Sequence, residues 1–123
     1  MTETPQLVIK VVAMPSDTNP DGDMFGGWIL SQMDLAAYIH VRGLTRHRLV
    51  TIAIDNLQFH RPVFVGDCLT CYAVTEKIGT SSITVKIVAQ VERKMSNVVE
   101  DVTEGRFVFV AIDKERKPVP LTS

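Results

Sequence analysis

The residue types that could do chemistry gather in one stretch, between Asn19 and Tyr38. Asp34 sits in the run Gly26-Gly27-Trp28-Ile29-Leu30-Ser31-Gln32-Met33-Asp34-Leu35-Ala36-Ala37-Tyr38-Ile39-His40-Val41-Arg42, a carboxylate among mostly apolar neighbours. At about 100° per residue Asp34 falls about 20° short of two full turns past Gly27, so Gly27, Ser31, Asp34 and Tyr38 share one helical stripe. A carboxylate so placed can take a proton from water or attack an electron-poor carbon itself. The Gly26-Gly27 pair opens the run, where backbone N–H groups have no intrahelical acceptor and the helix dipole favours negative charge. The Gly27 N–H is therefore the candidate oxyanion donor. It lies about 10 Å along the axis from Asp34, a gap shortened by the tilt of helical side chains toward the N-terminus and closable by one water.

Each of these residues also has a plainer reading. Asp34 could be a buried carboxylate held by Ser31 or by a neighbouring strand, and Gly26-Gly27 could serve close packing alone. Asn19 precedes Pro20 and suits an Asx-turn. Cys68 and Cys71 are spaced C-x-x-C, but their surroundings, Asp67-Cys68-Leu69-Thr70-Cys71-Tyr72-Ala73-Val74, favour a strand, on which positions three apart face opposite ways. A redox pair would open a helix, and zinc would need a second pair of ligands at matching spacing, which is missing. No metal and no cofactor is expected.

The elements that must position these groups follow from the apolar pattern. Leu7 to Ala13 is a β-branched run that ends before Pro15, and Pro15 to Asp23 is an acidic loop carrying Asp17, Asp21 and Asp23. The helix runs from Gly26 to Arg42, with Gly43 as the expected glycine C-cap. Its apolar side chains lie almost all the way round, as in a helix that is buried rather than resting on a surface. Strands follow at Val50 to Phe59, Leu69 to Lys77, Ser81 to Arg93 and about Val102 to Asp113, with Lys94 to Asp101 as a hairpin connection. In the third of these, Ile83, Val85, Ile87, Ala89 and Val91 alternate with polar residues. This order implies an α+β fold, an antiparallel sheet on one helix, with either a curled sheet or a second subunit closing the helix's open side.

Composition limits the function. The chain has 123 residues, 46% of them hydrophobic, and a formal net charge of −1. That suits a single domain, 1–123, with flexible tails expected at 1–6 and 119–123. The charge balance speaks against a nucleic-acid partner. No apolar run approaches the length of a membrane span, and Met1-Thr2-Glu3-Thr4-Pro5 has no features of a signal peptide, so a cytoplasmic protein without a membrane partner is expected.

The stretch from Met14 to Asp34, with its Asp/Asn loop, its Phe25-Gly26-Gly27 helix start and its Met33-Asp34 pair, resembles the signature of YciA-type acyl-CoA thioesterases of the hotdog-fold superfamily. Phe59-His60-Arg61-Pro62-Val63-Phe64-Val65-Gly66-Asp67 and Gly79-Thr80-Ser81-Ser82-Ile83 are similar to that family's strand ends, and the similarity runs from about Val8 to Pro120. The resemblance implies a hotdog fold, a curled five-stranded antiparallel sheet wrapped around one central helix. It implies a dimer, assembled further into a trimer of dimers, that hydrolyses acyl-coenzyme A to free acid and coenzyme A. Coenzyme A is then part of substrate and product, and no cofactor is required. Asp34 would be the catalytic carboxylate, as general base or as a nucleophile forming an anhydride, and Asn19 its partner amide, one from each subunit.

Substrate contacts are expected from Gly26, Ser31, Tyr38, Arg61, Thr80, Ser81 and Ser82, with Arg61 the first candidate for a coenzyme A phosphate and the hydroxyls of 80–82 for pantetheine. Arg46-His47-Arg48 forms a second local positive patch. Tyr38 departs from the small residue usual in the family and is expected to narrow the acyl channel or contribute an extra hydroxyl, favouring shorter or differently shaped acyl groups. Two other functions compete: a hotdog hydratase or dehydratase, disfavoured because the loop offers Asn19 where that chemistry usually uses His, and a non-catalytic acyl-CoA-binding module, disfavoured by an uncompensated carboxylate beside the thioester.

Overall fold

Strict alternation of side chains builds most of the molecule. In the computed structural model, which describes residues 4–122, the chain forms β1 (Gln6–Val12), α1 (Gly26–Val41), β2 (Arg48–Phe59), β3 (Cys68–Ile78), β4 (Ser82–Glu92) and β5 (Val99–Ile112). Ile83, Val85, Ile87, Ala89 and Val91 of β4 are fully buried, and the residues between them face the other side of the sheet. On β5, Phe107, Phe109 and Ala111 continue the same inner face. The five strands are all antiparallel in the order β1-β3-β4-β5-β2. The sheet wraps α1, which packs against every strand and most extensively against β3 and β4. This is the hotdog arrangement. Register shifts in β1, β2, β3 and β5 bend the strands as bulges do.

Two expectations need correction. The helix does not end on a glycine cap: Arg42 caps it in the right-handed region, and Gly43 lies inside a 3₁₀ turn, Arg42–Leu44. Bonds of the i→i+3 kind take up the last carbonyls, so no left-handed residue is required. The connection before β5 is shorter than 94–101, because Val99–Asp101 already belongs to the strand, where Glu100 pairs with Arg93 and Asp101 accepts from Gln90. Within the ends expected to be flexible tails, 1–6 and 119–123, some of the described residues bond to the sheet. Gln6 pairs with Ala73, and Val119 and Leu121 donate to the carbonyls of Ala111 and Thr80. Residues 1–3 and 123 lie outside the described region.

Cys68 and Cys71 both lie on β3, and Cys71 is part of the core. Burial pushes its thiol up to about 12, so it stays a neutral, inert core group at physiological pH.

The chain between β2 and β3 crosses from one sheet edge to the other side of the centre, and a buried ion pair holds it. Asp67, almost wholly buried, accepts from Arg93 Nη1 at 2.6 Å and from the Phe64 N–H at 2.9 Å. The Arg93 guanidinium also donates to Glu100 and to the Pro62 carbonyl, and it stacks over the Phe64 ring. Burial alone would pull the Arg93 pKa down, and the hydrogen bonds to Asp67 and Glu100 more than reverse it, raising it above its ordinary value. The cluster fixes Pro62–Phe64 in place, and the Val63 carbonyl in turn receives the Met24 N–H just before the helix. Asp67→Ala leaves the Arg93 guanidinium without its closer carboxylate in a poorly solvated site and is expected to cost about 3 kcal/mol, read as a lower urea midpoint at fixed protein concentration. Asp67→Asn, which keeps an acceptor, is expected to lose less, and equal stability of Asp67→Ala and the parent chain would contradict the role given to this pair.

Candidate active site

Asp34 lies about midway along α1 on the side the sheet does not cover. The buried residues of the helix are Ile29, Met33, Ala36, Ala37 and Val41, and the opposite side leaves Leu35, Tyr38 and Ile39 each 40% or more exposed. Gly27 and Ser31 lie on this open side with Asp34 and Tyr38, so the stripe read from the sequence is a real face. The strand alternative for the carboxylate holds and the Ser31 one does not. Thr51 of the edge strand β2 donates to Asp34 Oδ1 at 2.8 Å, whereas the Ser31 hydroxyl donates to its own helix at Trp28 O. Oδ2 of Asp34 has no partner among the described residues. One oxygen is thus oriented and the other is available for chemistry. Thr51 carried no signal in the sequence, since its role depends on where β2 passes the helix.

The two glycines differ. A Cβ at Gly26 would meet the Phe59 ring at 3.4 Å, so close packing accounts for this one. A Cβ at Gly27 would meet nothing within 4 Å, so packing within the chain gives no reason for glycine there. Phe25 caps the helix without a side-chain bond, and the first helical N–H groups that reach its carbonyl are those of Trp28 and Ile29. The N–H groups of Gly26 and Gly27 precede these and remain donors for an external acceptor.

Asn19 makes the Asx-turn, and more. Its Oδ1 accepts from the Asp21 and Asp23 N–H groups at 2.9 and 3.1 Å, which fixes the plane of the amide and leaves Nδ2 as an uncommitted donor among the described residues. Asn19 lines a groove of about 310 Å³ together with Gly26, Ile29, Phe59 and Arg61, at the N-terminal end of the helix. Asp34 of the same chain does not line it. The Arg61 guanidinium, expected to meet phosphate, donates to the Asp101 carbonyl at 2.8 Å and lies 3.7 Å from Glu100.

Thr80, Ser81 and Ser82 lie at the other end of the sheet. The β3–β4 pairing runs from Cys68↔Glu92, next to the Asp67 cluster, to Ile78↔Ile83, next to this hairpin. Eleven residues of strand separate the two ends, about 35 Å. The carbonyls of Thr80, Ser81 and Ser82 accept from Leu121, Ala111 and Gly79 respectively. One chain therefore gathers Gly27, Ser31, Asp34 and Tyr38 on its open helix face, and Asn19, Gly26 and Arg61 in the groove at one end. It does not bring 80–82 to either. Among the described residues no group of His, Cys, Asp and Glu is arranged to hold a metal ion, and no helix is long and apolar enough to cross a membrane.

Both the sequence and the fold have known relatives. The sequence profile of the thioesterase superfamily matches residues 21–95. The acyl-CoA thioester hydrolase YciA of Salmonella typhimurium is 43% identical over 126 residues, covering 98% of this chain and 95% of that protein. The crystal structure of the hexameric thioesterase y2039 from Yersinia pestis superposes with a TM-score of 0.90 at 43% identity, covering 98% of each chain. That of Cj0915, a hexameric hotdog fold thioesterase of Campylobacter jejuni, gives 0.87 at 42% identity over 94% of this chain and 89% of that one.

Because Asn19 Oδ1 holds two backbone N–H groups, Asn19→Ala should loosen the loop. Hydrogen exchange at the Asp21 and Asp23 amides is expected to speed up about tenfold, while Asn19→Asp, which keeps the acceptor, stays close to the parent rate. Unchanged exchange in Asn19→Ala would mean that the turn is held by other bonds.

Proposed function

The chain belongs to the thioesterase superfamily, and from that premise we propose that it hydrolyses acyl-coenzyme A thioesters in the cytoplasm, as a dimer assembled into a trimer of dimers. The observation that carries the reading is Asp34, a carboxylate with one oxygen tied to Thr51 and the other uncommitted, on an exposed apolar helix face. Leu35, Tyr38 and Ile39 beside it, with Ile52 and Ile54 exposed on the edge strand β2, suit contact with a second copy and an acyl chain laid between the two. Each site then takes Asp34 from one subunit and Asn19 from the other, which fits the groove of one chain being lined by Asn19 and not by Asp34.

In that site the thioester carbonyl oxygen meets the Gly27 N–H, whose orientation at the helix start favours the charge that develops on it. The Asn19 Nδ2 group is a second donor, held still by the Asx-turn. Asp34 either takes the proton of a water that attacks the carbonyl carbon or attacks it directly, giving an acyl-aspartyl anhydride that water then opens. In both routes the carbon–sulfur bond breaks, the thiolate of coenzyme A takes up a proton and the acid is released. Ser31 and Tyr38 border the path of the acyl chain.

Thiol release from a panel of acyl-CoAs tests this. Asp34→Asn is expected to lose at least about a hundredfold in kcat, and activity that survives intact would reject Asp34 as the catalytic group. Subunits of Asp34→Asn and Asn19→Ala, inactive alone, should regain activity when mixed and reassembled, since a mixed dimer rebuilds one complete site; no recovery in verified mixed dimers would reject the shared site. Tyr38→Ala should shift the preferred substrates to longer acyl chains, and an unchanged chain-length profile would remove Tyr38 from the channel.

A further inference from the structure

The Thr103 hydroxyl is the one buried polar side-chain atom among the described residues without a hydrogen-bond partner. Thr103 is fully buried on β5, where it precedes Gly105, Phe107 and Phe109 on the inner face of the sheet. Directly opposite it stand Phe59 of β2 and Ala89 of β4, whose Cβ atoms lie about 5 Å away on the same face. None of these side chains can donate or accept a conventional hydrogen bond. An unpaired hydroxyl in such surroundings lowers stability, and valine has nearly the same shape without that penalty. The oxygen at this position therefore points to a partner that comes from outside the fold.

The groove beside Asn19 leads toward it. Met24 and Ile29, both almost wholly buried, line that groove together with Phe59, so it reaches from the surface down to the sheet-facing side of the helix start. The Phe59 ring is half exposed and lies against Gly26, where a Cβ would meet two ring carbons at 3.4 and 3.5 Å. Because β2 is the edge strand and β5 its neighbour, Thr103 stands one strand further in than Phe59. A half-exposed ring has solvent on one side to turn into, and side chains at binding surfaces commonly change rotamer when a ligand arrives.

We propose that Thr103 makes the site select acyl groups with a hydroxyl on carbon 3: the Phe59 ring turns aside, and the Thr103 hydroxyl exchanges a hydrogen bond with that oxygen. The proposal rests on the thioesterase reading above, in which the thioester lies at the Asn19 end of the helix. The acyl chain itself still follows the open helix face past Tyr38, and the hydroxyl is a branch that turns in at the groove. An oxygen on carbon 2 would crowd the donors at Asn19 and Gly27, so carbon 3 is the first position that clears the reacting carbonyl. A site that pairs a substrate hydroxyl discriminates against the analogue lacking it, because the protein's own polar group then stays unpaired.

Paired substrates test this. The kcat/KM of the parent chain should be higher for 3-hydroxybutanoyl-CoA than for butanoyl-CoA, and Thr103→Val should lower the ratio of the two about tenfold. Thr103→Ser, which keeps a hydroxyl, should retain most of the preference. Urea unfolding separates this role from a structural one: Thr103→Val should unfold at a midpoint equal to or above that of the parent, because no hydroxyl is left unpaired. A ratio that Thr103→Val leaves unchanged, including an equal fall on both substrates, overturns the proposal and leaves the thioesterase reading standing. A clearly lower midpoint in Thr103→Val would show that the hydroxyl supports the fold, and overturns the proposal too. Absence of turnover by the parent on both substrates and on longer acyl-CoAs would overturn the thioesterase reading, and the proposal with it.

Discussion

A helix of sixteen residues with apolar side chains almost all the way round needs cover on every side, and one five-stranded sheet covers one side. Much else follows from that mismatch. The buried side chains Ile29, Met33, Ala36, Ala37 and Val41 hold the helix in the curl of the sheet, at a gain of about 1.5–3 kcal/mol for each large one. The other side is left with Leu35, Tyr38 and Ile39 facing outward and Asp34 among them. A carboxylate at the centre of the sheet-facing side would meet a high desolvation cost, and one on a fully solvated surface would have no special reactivity. On the uncovered side it is accessible in the single chain and becomes sheltered where a second molecule covers the face. In the proposed assembly, the contact that completes the core also completes the site.

The second requirement is that the helix start be held relative to the groove. The loop bearing Asn19 has little core of its own, and its stability comes from backbone bonds: Phe25 N–H to Asp17 O, Asn19 N–H to Asp23 O and Met24 N–H to Val63 O. The last of these passes the load to the β2–β3 connection, and the Asp67–Arg93 pair anchors that connection to the β4–β5 hairpin. A single buried carboxylate therefore controls the position of a loop from which it is more than forty residues away in sequence. Such a tether is brittle in the way of buried pairs, since losing either partner costs more than the pair contributes.

What the sequence made legible follows from how local each signal is. The helix and the inner faces of β4 and β5 were readable because periods of 3.6 and 2 are written into neighbouring residues, and the Gly27–Ser31–Asp34–Tyr38 stripe because helical geometry is regular. The strand order was not readable beyond the hairpins. Nothing local says that β2 pairs with β5, and so nothing pointed to Thr51 as the partner of Asp34. Nothing local marked Asp67 either, because its partner Arg93 lies 26 residues further on, just past the end of β4. Gly43 misled for the opposite reason: a glycine after a helix is a strong local cue, and a 3₁₀ turn satisfied the same carbonyls without it.

Asn19 shows why a plain structural reading and a catalytic one need not compete. Its Oδ1 is consumed by the Asx-turn, and a residue that only closed a turn could equally be Asp, which offers the same acceptor. Asparagine differs by presenting Nδ2, a neutral donor, where Asp would present a second negative oxygen. In the proposed site, a second negative oxygen beside the helix start would repel an oxyanion, whereas an amide N–H₂ held in a fixed plane would stabilise it. The turn is what makes the donor useful, because the amide has already lost its rotational freedom before any substrate arrives. Gly27 follows the same logic from the other side: with open space where a Cβ would be, its glycine leaves the backbone N–H approachable, and only an incoming group can make use of it.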